Sequence, residues 1–89
     1  MNRYVYIFYR YFQKDMREYN SFEDALHSFV CDFHYGKTYG LGIYDREAKV
    51  LYIPIYFNEG QCNWVVEEIG RLGYEIEKVQ YFDALNRND

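Results

Sequence analysis

Two runs of this chain are apolar on both faces that a strand can present. Tyr4-Val5-Tyr6-Ile7-Phe8 is the first, and Val50-Leu51-Tyr52-Ile53-Pro54-Ile55-Tyr56-Phe57 is the second. Successive side chains of a strand point to opposite sides of the sheet. Val5, Ile7, Leu51, Ile53 and Ile55 therefore fall on one face, and Tyr4, Tyr6, Phe8, Tyr52 and Tyr56 fall on the other. The aliphatic set reads as ordinary core. The aromatic set needs a second cause, because a small two-layer domain buries only one sheet face. Tyrosine makes up twelve of the 89 residues. It joins an apolar ring to a polar tip, and it is enriched where a surface meets a partner.

The order of elements follows from the periodicities. A strand is expected over Arg3 to Phe12, then a polar loop over Gln13 to Tyr19. Asn20-Ser21 caps a first helix, with Glu23 or Asp24 three positions on as a capping box requires. Phe22, Ala25, Leu26, Phe29, Val30 and Phe33 recur at helical spacing and form its buried stripe, and Gly36 is its C-terminal stop. A hairpin follows, from Thr38 to Tyr44, through a turn at Asp45-Arg46-Glu47-Ala48, and back over Val50 to Phe57. A second helix runs from Gly60 to Leu72, with Val65, Val66, Ile69 and Leu72 inward and Gly73 as its stop. Tyr74 to Phe82 is the last strand.

This order, β-α-β-β-α-β, predicts an α+β, two-layer, ferredoxin-like fold. Its sheet is four-stranded and antiparallel, with both helices on one face. Two details strain the scheme. Pro54 cannot donate to a ladder, so it marks a bulge or an edge strand. The last strand loses its alternation, which a bulge near Glu77 would repair. Residues 1–85 form a single domain, and residues 86–89 a frayed tail.

Composition narrows the function. Hydrophobic content of 49% and aromatic content of 22% exclude a disordered chain. The net charge is −4 and the pI about 5.1. Lysine and arginine occur singly, with no basic stripe, which makes nucleic acid an unlikely partner and favours protein. Cys31 and Cys62 are too few for a disulfide framework and fit reduced thiols in the cytoplasm. The N-terminal run, broken by Arg3 and Arg10, is no signal peptide, and no stretch is apolar enough to span a membrane.

The expected partner-binding surface is the sheet face left open by the helices. It comprises Tyr4, Tyr6, Phe8, Tyr44, Tyr52 and Tyr56, with Gly40 and Gly42 leaving a groove beside the rings. Trp64, on the outward side of the second helix, is a further candidate hot spot. Such a face is covered by a loop, by a twofold copy, or by another macromolecule. RNA-binding sheets of this topology stack bases on aromatics, but the basic residue, Gly, aromatic, Gly, aromatic motif is absent. His27, Cys31 and His34, with Asp24 one turn earlier, are spaced for zinc but lack a fourth ligand, so no metal and no cofactor is expected. Gly36-Lys37-Thr38 follows a helix instead of opening one and is no phosphate loop. No positioned nucleophile accompanies Asp24 and His27, so the chain is read as no enzyme.

These features describe a small acidic protein–protein interaction module. In general character it is similar to phage- or plasmid-encoded inhibitors of bacterial defence proteins, such as anti-CRISPR proteins. The acidic helix faces (Glu23, Asp24 and Asp32; Glu67 and Glu68) would steer it to a basic site. The alternatives are a structural homodimer with a small ligand between the sheets, and a small RNA-binding module.

Overall fold

The computed structural model describes residues 2–35 and 38–83, with the side chains of residues 34 and 35 excepted. The expected helix stop at Gly36 and the tail over 86–89 lie outside the described residues. The elements are β1 (Tyr4–Arg10), β2 (Gln13–Tyr19), α1 (Phe22–Tyr35), β3 (Tyr39–Asp45), β4 (Val50–Pro54), α2 (Glu59–Arg71) and β5 (Lys78–Phe82). Ser21 Oγ accepts from the Asp24 amide at 3.2 Å and caps α1. Asn58 caps α2 through a full capping box with Gln61. Gly73, at φ +92°, takes up the left-handed position after α2.

The sheet corrects the four-stranded antiparallel, ferredoxin-like expectation. It is five-stranded and mixed, in the order β2-β1-β3-β4-β5. The first three neighbour pairs are antiparallel, and β4 and β5 run parallel. The segment read as a polar loop is β2, paired with β1 in unbroken register from Tyr4↔Tyr19 to Arg10↔Gln13. Once β2 occupies that side of β1, the last strand has no place beside β1. It adds to β4 instead, with α2 as the crossover that a parallel pair needs. Pro54 ends β4 beyond the β3 ladder, which stops at Ile43↔Tyr52, so its missing donor breaks no bond there. The register of β5 against β4 is continuous from Lys78, and Glu77 precedes the strand.

The helices cover opposite faces, so both faces of the central strands are buried. Val65 and Ile69 of α2 pack on Val5, Ile7, Leu41, Leu51 and Ile53. Ala25, Leu26, Phe29 and Val30 of α1 pack on Tyr6, Phe8 and Ile43. This overturns the expectation of two helices on one face, and it supplies the missing cause for the tyrosine runs: they are the core beneath α1. Leu26, Phe29, Val65 and Ile69 are buried as expected, whereas Phe33, at the far end of the same stripe, is 44% exposed.

A bulge decides which residues of β3 face which helix. The β1–β3 register shifts between Ile7↔Gly42 and Phe8↔Gly40, leaving Leu41 as an extra residue. Leu41 therefore points to the α2 side, while Ile43, two positions on, points to α1. Tyr44 is thrown to the α2 side, not the tyrosine face. Among the described residues no helix is long and apolar enough to cross a membrane.

Candidate partner-binding surface

The β1–β2 turn has only two residues, Tyr11 and Phe12, both with positive φ, at 51° and 67°. A two-residue hairpin of the I′ type demands this, and Asn-Gly or Asp-Gly meets the demand without strain. A bulky L side chain meets it poorly, because its Cβ crowds the backbone. The strain is imposed by the flanking strands, whose pairing is fixed by the burial of Val5 and Ile7 on one face and Tyr6 and Phe8 on the other. Both turn side chains stand in solvent, Tyr11 at 83% and Phe12 at 101% relative exposure. The Arg10 guanidinium lies 5.8 Å from the Tyr11 ring centre.

Behind this tip the sheet ends in a cleft of ≈ 990 Å³. β1 brings Tyr9 to it, and α1 brings Phe29 and Phe33. The start of β3 brings Thr38, Tyr39 and Gly40. The chain leaving β4 brings Tyr56 and Phe57, and the first turn of α2 brings Gln61. The rings support one another: Phe33 and Tyr56 lie 5.5 Å apart, and Tyr39 and Phe57 stack at 6.1 Å and 14°. Gln61 Nε2 donates to the Tyr39 hydroxyl at 3.2 Å. Gly40 is needed in the floor, since a Cβ there would stand 2.6 Å from the Phe29 ring.

No described residue lining the cleft carries a formal charge. Burial, with a smaller push from Tyr39, raises the Tyr56 hydroxyl to about 12, so it stays neutral at physiological pH. Below the floor the Tyr6 hydroxyl donates to Asp32 Oδ2 at 2.7 Å. Burial, then that carboxylate, holds the Tyr6 pKa far above the ordinary phenol value.

Of the residues singled out from the sequence for the binding face, Tyr56 and the groove glycine Gly40 line the cleft. Tyr6 and Phe8 are fully buried under α1. Tyr4 and Tyr52 are half-buried around Phe22, at 6.0 and 4.7 Å between ring centres. Tyr44 is buried on the α2 side, where its hydroxyl donates to the Glu75 carbonyl and its ring lies against Tyr74. Trp64 folds down onto Tyr9 with near-parallel rings 5.5 Å apart, and remains 39% exposed beside the cleft.

Sequence reasoning passed over Tyr9, Tyr11, Phe12, Tyr39 and Phe57 as cleft residues. It counted Phe33 as core. The available signal was Tyr9-Arg10-Tyr11-Phe12 followed by a polar segment, a hairpin without turn residues.

The zinc-spaced set lies away from the cleft. Cys31 Sγ lies 3.6 Å from His27 Nε2 on the outer face of α1, and the His34 side chain is outside the described residues. Among the described residues no three His, Cys, Asp or Glu groups are placed to hold a metal. The acidic faces are largely engaged within the chain. Glu67 pairs with Arg71 at 2.7 Å, Glu68 with Lys14 at 3.0 Å, and Asp32 accepts from Tyr6. Compared with known protein families, curated proteins and solved structures, the chain matches none.

Proposed function

We propose that this chain acts by binding another protein molecule through the aromatic end of its sheet. The observation that carries the reading is the hairpin tip. Two bulky residues in left-handed backbone cost on the order of 1–3 kcal/mol each, and their rings gain no burial in return. Asn-Gly would serve the fold better, so the rings serve something outside the fold. Rigid aromatic side chains provide contact area with little loss of entropy on binding. The uncharged cleft beside them offers a pocket for an apolar group.

Nucleic acid fits this surface poorly: no cation lines the cleft among the described residues, Arg10 at the tip lies over the Tyr11 ring, and Lys14 pairs with Glu68. The free thiols Cys31 and Cys62 support a place in the reducing cytoplasm. A more specific role, inhibition of a bacterial defence protein of the anti-CRISPR kind, rests on the small, acidic, aromatic composition.

The test is binding of the neutral dye Nile red to dilute protein. Wild type is expected to enhance its fluorescence, and a Tyr11→Asn/Phe12→Gly variant to lose at least half of that enhancement with its melting temperature kept or raised. Equal enhancement by the two proteins, or none by wild type, would remove the aromatic end as a working surface.

A further inference from the structure

The cleft and the tip lie side by side on one patch, and each has the shape the other lacks. A ring projects fully into solvent at Phe12, and the hollow of ≈ 990 Å³ that Tyr11 and Phe12 border on one side is walled on the others by Phe33, Tyr39 and Tyr56. A twofold contact requires this arrangement, because the same patch must supply both the inserting and the receiving group. Resting on the binding reading above, we propose that the occupant of the cleft is the hairpin tip of a second copy of this chain. The two copies exchange Tyr11-Phe12 tips reciprocally about a twofold axis.

The shape of the patch favours a copy of the chain, its lack of charge permits one, and its area is near what one needs. The chain carries −4 overall, so two copies repel over most of their surfaces. No formal charge lines this cleft among the described residues, and the Arg10 guanidinium beside the tip lies over the Tyr11 ring, so the cleft walls set no like charges against one another. A strongly basic or acidic partner would find no counter-charge in it.

The exposed fractions of Tyr11, Phe12, Phe33, Tyr39 and Tyr56 are 83, 101, 44, 47 and 37%. At about 200 Å² per aromatic side chain this amounts to roughly 600 Å² of exposed surface. That is the upper end of the largest apolar patch on a typical monomer, and patches of this size are often functional. Phe57 continues the patch into a shallower hollow bordered by Ile55 and Tyr81, 60 and 57% exposed, and by the acidic Glu59. Together they approach the roughly 800 Å² per partner of a standard specific interface.

The test is sedimentation equilibrium of the wild-type chain from low to high micromolar concentration, beside two variants. The first, Tyr11→Asn/Phe12→Gly, removes the inserting rings and relieves the turn. The second, Tyr39→Lys, places a charge in the receiving wall. Wild type is expected to rise from 10.9 kDa toward twice that mass. Each variant is expected to weaken the association about 30-fold or more, the loss typical of a central aromatic hot spot. Thermal melting checks that both fold, and if Tyr39→Lys does not, the tip variant decides alone.

A wild type that stays monomeric throughout, while dilute protein still binds Nile red at the tip, overturns the second copy as occupant and leaves the binding surface standing. A dimer that persists unchanged in the variants also overturns it, since the association then lies elsewhere. A monomer that does not bind the dye removes both readings.

Discussion

The two ends of the sheet are built from opposite materials. At the end where β1 starts and β3 finishes, the chain turns are held by charges. Arg3 grips Asp45 in a two-pronged pair, with Nε–Oδ1 and Nη2–Oδ2 both at 2.8 Å. Asp45 Oδ1 also accepts from the Glu47 and Ala48 amides and so caps the β3–β4 turn. Arg46 reaches Glu18 at 2.6 Å, and Lys49 reaches Glu75 at 3.1 Å. At the other end, the turn residues are Tyr11 and Phe12, the walls are rings, and the apolar surface is left in water. Charged groups at the first end find their partners within the chain. Apolar groups at the second find too few, and that imbalance is what the proposed binding role rests on.

The sharpest attack on this comparison is to show that the aromatics are all one set. They are not expected to behave so. Tyr6→Ala, beneath α1, should cost about 3–5 kcal/mol, as other large core truncations do, and in a chain this small that approaches total unfolding. A urea melt showing a loss below about 1 kcal/mol would contradict its placement in the core.

Next in size is the charged end. Asp45→Asn removes the pair with Arg3 and should cost about 2 kcal/mol, the worth of a buried charge-assisted hydrogen bond. The pH dependence has a definite sign. The Arg3 hydrogen bond, above all, and then the Ala48 and Glu47 amides hold the Asp45 carboxyl below the ordinary carboxylate value, against an opposing push from burial. Its contribution is therefore complete above the unfolded pKa, about 4, and is lost as pH falls through the lower folded value. Melting temperature followed from neutral pH down should show a shallower acid limb for Asp45→Asn than for wild type. Identical limbs would show that the pair is not titrating.

Gly40→Ala sharpens the cleft itself. The added Cβ would press on the Phe29 ring from 2.6 Å, which must shift at a cost of roughly 1–2 kcal/mol. Dye binding should fall with it, because Phe29 lines the cleft. The smallest effect has the opposite sign: Tyr11→Asn/Phe12→Gly should stabilise the fold by about 1 kcal/mol, the released turn strain being partly offset by the freer unfolded chain that Gly gives. A clear destabilisation would show that the rings hold the hairpin together.

Much of the architecture was legible because helices announce themselves. Ser21 and the Phe22-to-Val30 stripe located α1, and Val65 and Ile69 gave the inner face of α2. The strand that escaped was β2, and one omission moved the rest. Gln13-Lys14-Asp15-Met16-Arg17-Glu18 has no apolar alternation, because an edge strand that is mostly exposed has no side to keep dry. Its turn carries no Gly, Asn or Asp to signal a hairpin. Without β2 the element count fits a known four-stranded arrangement, and α1 is put on the wrong face. The tyrosines then read as an open surface when they are core. Tyr44 was misplaced for a more local reason, since a single extra residue at Leu41 reverses the facing of the strand beyond it. Of the cleft, Tyr56 and the groove at Gly40 were legible in advance, whereas Tyr11, Phe12 and Tyr39 matter through their positions at strand ends and not through any spacing.

The parallel pairing of β5 with β4 has a consequence in time as well as in space. β1 with β2, and β3 with β4, are joined by short turns and close over few residues. β5 reaches β4 only after the whole of α2 has been laid across the sheet, and it touches no other strand. Such a closure carries a larger entropic toll than a hairpin, and unlike the β1–β3 pair, which is also long-range, it is supported by a neighbouring strand on one side only. In native-state hydrogen exchange the β5 amides should open with less free energy than those of β1, which is held from both sides. The last described strand is then expected to let go before β1. Because Phe82 packs on Phe22 and Phe29, its release loosens the α1 side of the core before the central strands part.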